Sequence, residues 1–241
     1  LILLAAAATK FIDFAKIGGG RDAEATPLPT LRLERADIDE NVDIGFLMEL
    51  IGSEKPKAPV IDLAGGEPRV LIYHSHTKEG YYPSDRYNYE PKKGWRNPDD
   101  SMNVVAVGER LAQTLRQVYG INVIHDTTDH EPPVLDTAYS RSLETILAYK
   151  KQHPSITLFI DVHRDSYGEP VVPSDYIVIN GKEVARIMFV VGTGKGKTGT
   201  GFGEMPDFNS NYALAKSMTE YLAAVDEKLV RNIRVKSGRY N

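Results

Sequence analysis

Two stretches of the chain share one pattern, an apolar run that ends abruptly in histidine and acidic residues. Residues 69–79 read Arg-Val-Leu-Ile-Tyr-His-Ser-His-Thr-Lys-Glu, and residues 157–165 read Thr-Leu-Phe-Ile-Asp-Val-His-Arg-Asp. A short apolar run bounded by turn residues predicts a buried strand. Ligands of open α/β sheets collect beyond the carboxyl ends of the strands. If the two strands are neighbours, we expect His76, Glu79 and His163 to meet at one edge of the sheet.

The rest of the chain alternates between strand-like and helix-like segments. Apolar residues at helical spacing predict helices over residues 103–119, 139–152 and 209–228, and shorter apolar runs predict strands over residues 121–124, 176–179 and 184–191. Gly120 stands where a C-cap glycine is expected. Strands separated by helices of this length indicate a parallel sheet. The sequence therefore predicts an α/β fold, with a twisted, mostly parallel sheet flanked by helices on both faces.

The first quarter of the chain has a different character, and we predict a lead-in segment over residues 1–66 followed by one domain over residues 67–241. The lead-in contains a glycine-rich break at residues 17–20 and a predicted short helix over residues 41–51. Residues 1–8 are strongly apolar, but a membrane-spanning helix needs roughly 20 residues. They are interpreted either as a helix packed on the domain or as the end of a clipped membrane anchor.

Composition excludes several classes of function. The net charge of −4 gives no support to general nucleic-acid binding. The chain has no cysteine, so any zinc must be held by histidines and carboxylates. It has neither a cysteine nucleophile nor a Gly-x-Ser-x-Gly motif, which leaves covalent acyl transfer without support.

The residues at the two strand ends suit a zinc site. His76 and Glu79 are three residues apart in a turn, and His163 would complete a set of three ligands, which leaves the fourth position to water as in catalytic zinc sites. Asp161 or Asp165 would orient a ligating ring through its second nitrogen.

Other residues could take part in such a site. His74 alternates with His76 along the strand and is an alternative ligand. Asp99 is most simply a capping residue, although its carboxylate is an alternative to Glu79. His125 and His130 lie in a polar stretch and are interpreted as surface residues.

Four motifs carry a resemblance to a known family: residues 71–79, 103–108, 139–144 and 161–165, in this order. Together they resemble the stage II sporulation protein P family of endospore-forming bacteria, from about residue 69 to residue 191. The resemblance implies a zinc-dependent N-acetylmuramoyl-L-alanine amidase with the α/β sheet of amidases and zinc carboxypeptidases. It implies His76, Glu79 and His163 as zinc ligands, with Arg141 and Asp165 as substrate-binding residues.

The same resemblance implies a cellular setting. The substrate is peptidoglycan, and the expected partners are stage II sporulation proteins D and M. A membrane anchor at the N-terminus would hold the protein in the space between mother cell and forespore. Relatives carry their general base, a glutamate, on a further strand, which is predicted here to lie beyond Asn241. Two alternatives stay open at this point: a non-catalytic wall-binding module, and a zinc endopeptidase acting on stem-peptide cross-links.

Overall fold

The computed structural model describes residues 36–53, 61–81, 83, 88–90, 96–165, 175–194 and 207–238. Its strands are β1 (Ala36–Ile38), β2 (Val70–Tyr73), β3 (Val123–His125), β4 (Leu158–Asp161), β5 (Tyr176–Ile179), β6 (Lys182–Ala185), β7 (Val190–Gly192) and β8 (Ile233–Lys236). Its α-helices are α1 (Ile44–Ser53), α2 (Val104–Tyr119), α3 (Ala138–Gln152) and α4 (Phe208–Val225). Short 3-10 turns lie at Leu135–Thr137 and Glu227–Leu229.

One sheet carries both motifs found in the sequence. Its three strands are parallel in the order β3-β2-β4, with β2 in the centre. Val70 and Ile72 of β2 pack in one core with residues of α2, whereas Leu71 and Tyr73 pack in another core with Ile146 of α3. Alternate residues of a strand face opposite sides of a sheet, so helices cover both faces, and all four residues of β2 are buried.

A second sheet, in the order β1-β8-β7, is also parallel. Its core contains buried residues of α1, α4 and the strands, among them Leu47, Phe189, Tyr212 and Ile233. The prediction of an α/β fold with parallel strands is confirmed, and the described parallel strands are divided between two three-stranded sheets. The closer likeness to amidases and zinc carboxypeptidases stays a prediction.

The predicted strand over residues 184–191 is wrong, because two separate strands occupy this region. β6 pairs antiparallel with β5, and β7 pairs parallel with β8. Asn180 and Gly181 join β5 to β6, and both have positive φ angles, of 51° and 74°. Positive φ at both central residues is the requirement of a type I′ hairpin turn, for which Asn-Gly is a favoured pair.

The ends of α2 show how local sequence positions the site. Asn103 is the N-cap, and its side chain accepts a hydrogen bond from the Val105 backbone N–H. Gly120 adopts the left-handed conformation at the C-cap, as predicted. The start of α2 also lies against the turn that carries Glu79, because the Glu79 carbonyl accepts a hydrogen bond from the Val104 N–H at 3.0 Å.

Part of the predicted lead-in belongs to the second sheet. β1 pairs with β8, and α1 lies against α4. Residues 1–35, which include the predicted anchor, lie outside the described residues, and the boundary at residue 66 stays a prediction. Within the part that the structure describes, no helix is both long and apolar enough to cross a membrane.

One strand was not predicted. β8 follows α4, the last element that the sequence indicated, and lies in the centre of its sheet. Its residues, Ile-Arg-Val-Lys, include no carboxylate. A general base on a further strand beyond Asn241 stays a prediction.

Candidate metal site

The carboxyl ends of β2 and β4 lie side by side. Tyr73 is in register with Asp161, and the Val162 N–H donates to the Tyr73 carbonyl at 3.0 Å. His76 follows β2 by three residues and His163 follows β4 by two, so both rings lie at the same edge of the sheet. Their centroids are 5.4 Å apart, and the rings meet edge to face at 76°.

Glu79 completes the group. Its Oε2 atom lies 3.3 Å from Nδ1 of His163 and accepts the Arg164 backbone N–H at 2.8 Å. The turn that carries Glu79 is held in place by an isolated antiparallel β-bridge between Glu79 and Arg96. The structure thus brings together the three residues that the sequence predicted as zinc ligands.

A buried carboxylate lies on the other side of the His163 ring. Oδ1 of Asp161 is 2.9 Å from Nε2 of His163, although the alignment is not that of a hydrogen bond. Burial alone would lower the pKa of His163, but the charges of Asp161 and Glu79 outweigh burial and raise this pKa to about 10. In the metal-free protein the ring is therefore protonated at neutral pH.

The donor set fits a zinc ion in its chemistry, and one pair of its atoms has the spacing of two zinc ligands. Two histidines and one glutamate are a ligand set of catalytic zinc, and bonds of roughly 2.0–2.1 Å in a tetrahedron place two ligand atoms about 3.3 Å apart. Nδ1 of His163 and Oε2 of Glu79 have this separation. Nδ1 of His76 is buried without a hydrogen-bond partner. Within the described ranges, however, no group of three or more histidine, aspartate or glutamate side chains has the arrangement needed to hold a metal ion.

The alternative ligands have other contacts. Both ring nitrogens of His74 are engaged, Nδ1 with the Val162 carbonyl at 3.0 Å and Nε2 with Nε2 of His125 at 2.9 Å. Burial, the largest influence, lowers the pKa of His74 to about 4. Asp99 is exposed and accepts hydrogen bonds from the backbone and hydroxyl of Ser101. In the described geometry His76, rather than His74, has a buried nitrogen without a partner.

The interpretation of His125 and His130 as surface residues is wrong. The side chain of His125 is 3% exposed, and His130 is 2% exposed. The ring of His130 bonds to the His74 carbonyl at 2.8 Å and to the Thr145 hydroxyl at 2.9 Å. His125 ends β3 and lies against His74, whereas the polar segment after β3 folds over the end of β2 and buries His130.

Arg141 and Asp165, predicted to bind substrate, both have partners within the chain. The Arg141 guanidinium donates to the carbonyls of His130, Glu131 and Val134 and to the Thr137 hydroxyl. It therefore fastens the segment over residues 130–134 to the start of α3. Asp165 forms an ion pair with Arg234 of β8, at 3.4 Å. Their contact with substrate stays a prediction.

Tyr139 was not singled out in the sequence, although it opens the third of the four motifs. Its ring meets His76 edge to face at a centroid distance of 5.1 Å and stacks on His163 at 5.9 Å. The first turn of α3 thus places an aromatic ring against both predicted ligands. Spacing along the chain gives no signal of this contact, which depends on how α3 docks on the sheet.

Charged side chains surround the turn after His76. Glu131 is buried and accepts the Lys78 backbone N–H at 3.1 Å, and its carboxylate is paired with Arg96 and Lys78. Lys78 also pairs with Asp129. Two cations and two carboxylates balance, so this group contributes structure to the turn without a net charge.

Comparison with known proteins agrees with the four motifs. A family model described as Stage II sporulation protein P matches residues 31–241, which is most of the chain. No curated protein and no solved structure gives a significant match. The chain therefore belongs to the stage II sporulation protein P family, whose role in sporulation is associated with peptidoglycan and its hydrolysis.

Proposed function

We propose that this protein is a zinc-dependent N-acetylmuramoyl-L-alanine amidase, which hydrolyses the amide between the lactyl group of muramic acid and the L-alanine of the stem peptide. The observation that carries the proposal is the meeting of His76, Glu79 and His163 beyond two parallel strands. A family associated with peptidoglycan hydrolysis supplies the substrate class.

The three side chains would hold the ion, and neighbouring groups orient two of them, His163 and Glu79. Nδ1 of His163 faces Glu79, while its Nε2 faces Asp161, so the carboxylate is placed to favour a proton on Nε2 and leave Nδ1 to a metal. The Arg164 N–H fixes the Glu79 carboxylate from the other direction. When bound, zinc would lower the pKa of a water molecule and polarise the scissile carbonyl.

Proton transfer needs a further group. Asp161 accepts two hydrogen bonds from Ser75 and is fully buried, and Glu131 is paired with Arg96 and Lys78. Neither carboxylate is therefore available to a water molecule. The general base is therefore proposed to be a group other than these two carboxylates.

Substrate contacts belong to the same proposal. Arg141 and Asp165 are proposed to bind the substrate near the site, with the guanidinium of Arg141 suited to a carboxylate of the stem peptide or of muramic acid. In the cell, the protein is proposed to act outside the cytoplasm between mother cell and forespore, held by an N-terminal membrane anchor. Stage II sporulation proteins D and M are its proposed partners.

Digestion of purified sacculi tests the reaction. We expect free stem peptides and glycan strands without peptides in the mass spectrum, and their loss with EDTA and recovery with Zn²⁺. Cleavage within the stem peptides would instead identify an endopeptidase. Binding to sacculi without any release, whatever the metal, would identify a wall-binding module.

A further inference from the structure

We infer that His74 and His125 are positioning residues for the candidate metal site, because a hydrogen-bonded chain runs from Glu109 through both rings to the backbone carbonyl that precedes His163. The inference rests on the proposed function, in which His163 binds the metal. It assigns to these two histidines a role that is neither ligation nor surface exposure.

The chain of contacts joins four elements. Oε2 of Glu109, on α2, lies 2.9 Å from Nδ1 of His125, at the end of β3. Nε2 of His125 lies 2.9 Å from Nε2 of His74, just after β2, and the two rings meet edge to face at 74°. Nδ1 of His74 lies 3.0 Å from the carbonyl of Val162, just after β4.

The direction of the hydrogen bonds follows from the groups themselves. A carbonyl only accepts, so Nδ1 of His74 carries a proton and donates it to Val162. Two ring N–H groups cannot point at each other at 2.9 Å. Nε2 of His74 therefore accepts, and Nε2 of His125 donates. A carboxylate also only accepts, so Nδ1 of His125 donates to Glu109, which orients the ring from its opposite nitrogen.

A glycine on α2 makes room for the two rings. A Cβ atom at Gly108 would lie 2.7 Å from Nε2 of His74 and 2.7 Å from Nε2 of His125. Glycine is unfavourable in the middle of a helix because it adds conformational freedom to the unfolded chain. Its presence here is explained by the close approach of α2 to the hydrogen bond between the two histidines.

The chain of contacts acts on the ligand through the backbone. Val162 stands between Asp161 and His163, so holding its carbonyl fixes the peptide from which the His163 ring projects. His130 adds a second link, since its Nδ1 bonds to the carbonyl of His74 at 2.8 Å. Histidines that do not face the metal thus tie together the ends of β2, β3 and β4.

Zinc affinity of three variants tests the positioning role. His125→Leu removes the N–H group that donates to His74, whereas His125→Gln keeps an N–H donor. The control is His153→Leu, which makes the same change at a histidine at the C-terminal end of α3. Loss of residues that orient metal ligands typically lowers metal affinity about 10- to 100-fold. Competition with a chromophoric chelator should show a loss of about tenfold in His125→Leu, consistent with the lower end of that range. We expect affinity close to wild type in the other two. Wild-type affinity in His125→Leu, or an equal loss in His153→Leu, would overturn the inference.

Nitrogen NMR of the metal-free wild-type protein gives a second readout. We expect a proton on Nδ1 of His74, an unprotonated Nε2, and a scalar coupling across the hydrogen bond between the two Nε2 atoms. A proton on Nε2 of His74 would contradict the chain as described. This measurement needs no variant, so it decides the hydrogen bonding even if His125→Leu does not fold.

The two proposals fail in different ways. If the wild-type protein binds no zinc, the proposed function is wrong. The positioning role is then judged by the ring nitrogen signals of His163 in the metal-free proteins. They should shift in His125→Leu and stay unchanged in His153→Leu, and unchanged signals in both would overturn the positioning role as well.

Discussion

The backbone N–H and the hydroxyl of Ser75 both donate to the carboxylate of Asp161, at 2.9 and 2.6 Å, and so join the end of β2 to the end of β4. Asp161 is fully buried. Burial alone would raise the pKa of its carboxyl group, but the charge of His163 and the hydrogen bonds to this carboxylate outweigh burial and lower the pKa. Removing the hydroxyl leaves a buried charge with one donor fewer. We expect Ser75→Ala to lower the free energy of unfolding by about 1.5–3 kcal/mol, the range for hydrogen bonds to charged groups.

The matched control is Ser101→Ala. The Ser101 hydroxyl also donates to an aspartate, Asp99, at 2.7 Å, but this pair is exposed to solvent. The expected change is within about 0.5 kcal/mol, as for most surface substitutions. Urea denaturation of both variants measures the difference. Equal costs at the two serines would contradict the role given to the buried pair.

Gly108→Ala should reverse the usual effect of this substitution. In an unobstructed helix interior, alanine in place of glycine stabilises by roughly 0.5–1 kcal/mol. Here the added Cβ would press on both histidine rings, and overpacking of this kind typically costs about 1–3 kcal/mol.

Gly45→Ala is the control for that change. Gly45 lies in α1 and is exposed, and a Cβ there would approach only the Asp43 carboxylate, at 3.3 Å. Denaturation midpoints should show stability close to wild type or slightly higher. A stabilising Gly108→Ala would show that the space beside the two histidines is not as restricted as described.

Arg141→Lys should destabilise the segment after β3. The guanidinium makes four hydrogen bonds in a fixed fork, which a single ammonium group cannot reproduce. We expect a loss of about 1–3 kcal/mol, comparable to one or two hydrogen bonds that involve a charged group. Arg110→Lys, at an exposed position of α2, serves as the control. If stability is unchanged while KM in the sacculus assay rises, Arg141 acts on substrate rather than on the fold.

Zinc binding should release a proton. The carboxylates of Asp161 and Glu79 raise the pKa of His163 to about 10 in spite of burial, so the ring holds a proton at pH 7 that a metal must displace. Calorimetry in two buffers with different enthalpies of ionisation should show about one proton released at pH 7, and affinity should rise with pH towards about pH 10. Affinity that is independent of pH over this range would contradict the protonated ring.

The raised pKa of His163 also predicts how the stability of the metal-free protein depends on pH. Because the folded-state pKa of His163 is above its ordinary value of 6.5, its contribution is fully present below about pH 6.5. That contribution is lost as the pH rises through about 10. Thermal denaturation of the metal-free protein from pH 6 to pH 10 should therefore show falling stability, and a flatter profile in His163→Gln. An identical slope in both proteins would assign the trend to other groups.

Local pattern in the sequence was sufficient for the part of the site that lies directly after strands. The apolar runs before His76 and His163 predicted two strands of a parallel sheet, and the meeting of the residues after them was expected if the strands were neighbours. The strands are neighbours, and their register places the two rings together. The same reasoning missed the burial of His130, because a polar loop gives no local sign that it folds back over β2. It missed the burial of His125 because the contacts of this ring with His74 and α2 join distant parts of the chain. It missed β8 as well, since four residues after a helix carry a weak pattern.

The antiparallel pairing of β5 with β6 had a signal that was available. Asn180-Gly181 is a favoured hairpin pair between two strand-like runs, and it predicts a reversal of the chain at that point. The contact of Tyr139 with both predicted ligands had none, since it depends on the docking of α3 against the sheet. Contacts between distant elements thus account for most of what the sequence did not show.

The most direct test of the central claim is the zinc content of the 241-residue chain and its variants, measured by mass spectrometry after equilibrium dialysis, with circular dichroism to verify folding. We predict one zinc ion per wild-type chain and per His153→Ala chain, and loss of most of it in His76→Ala, Glu79→Ala and His163→Ala. A full equivalent of zinc retained in His76→Ala and His163→Ala, or a wild-type chain that binds none, would contradict the account.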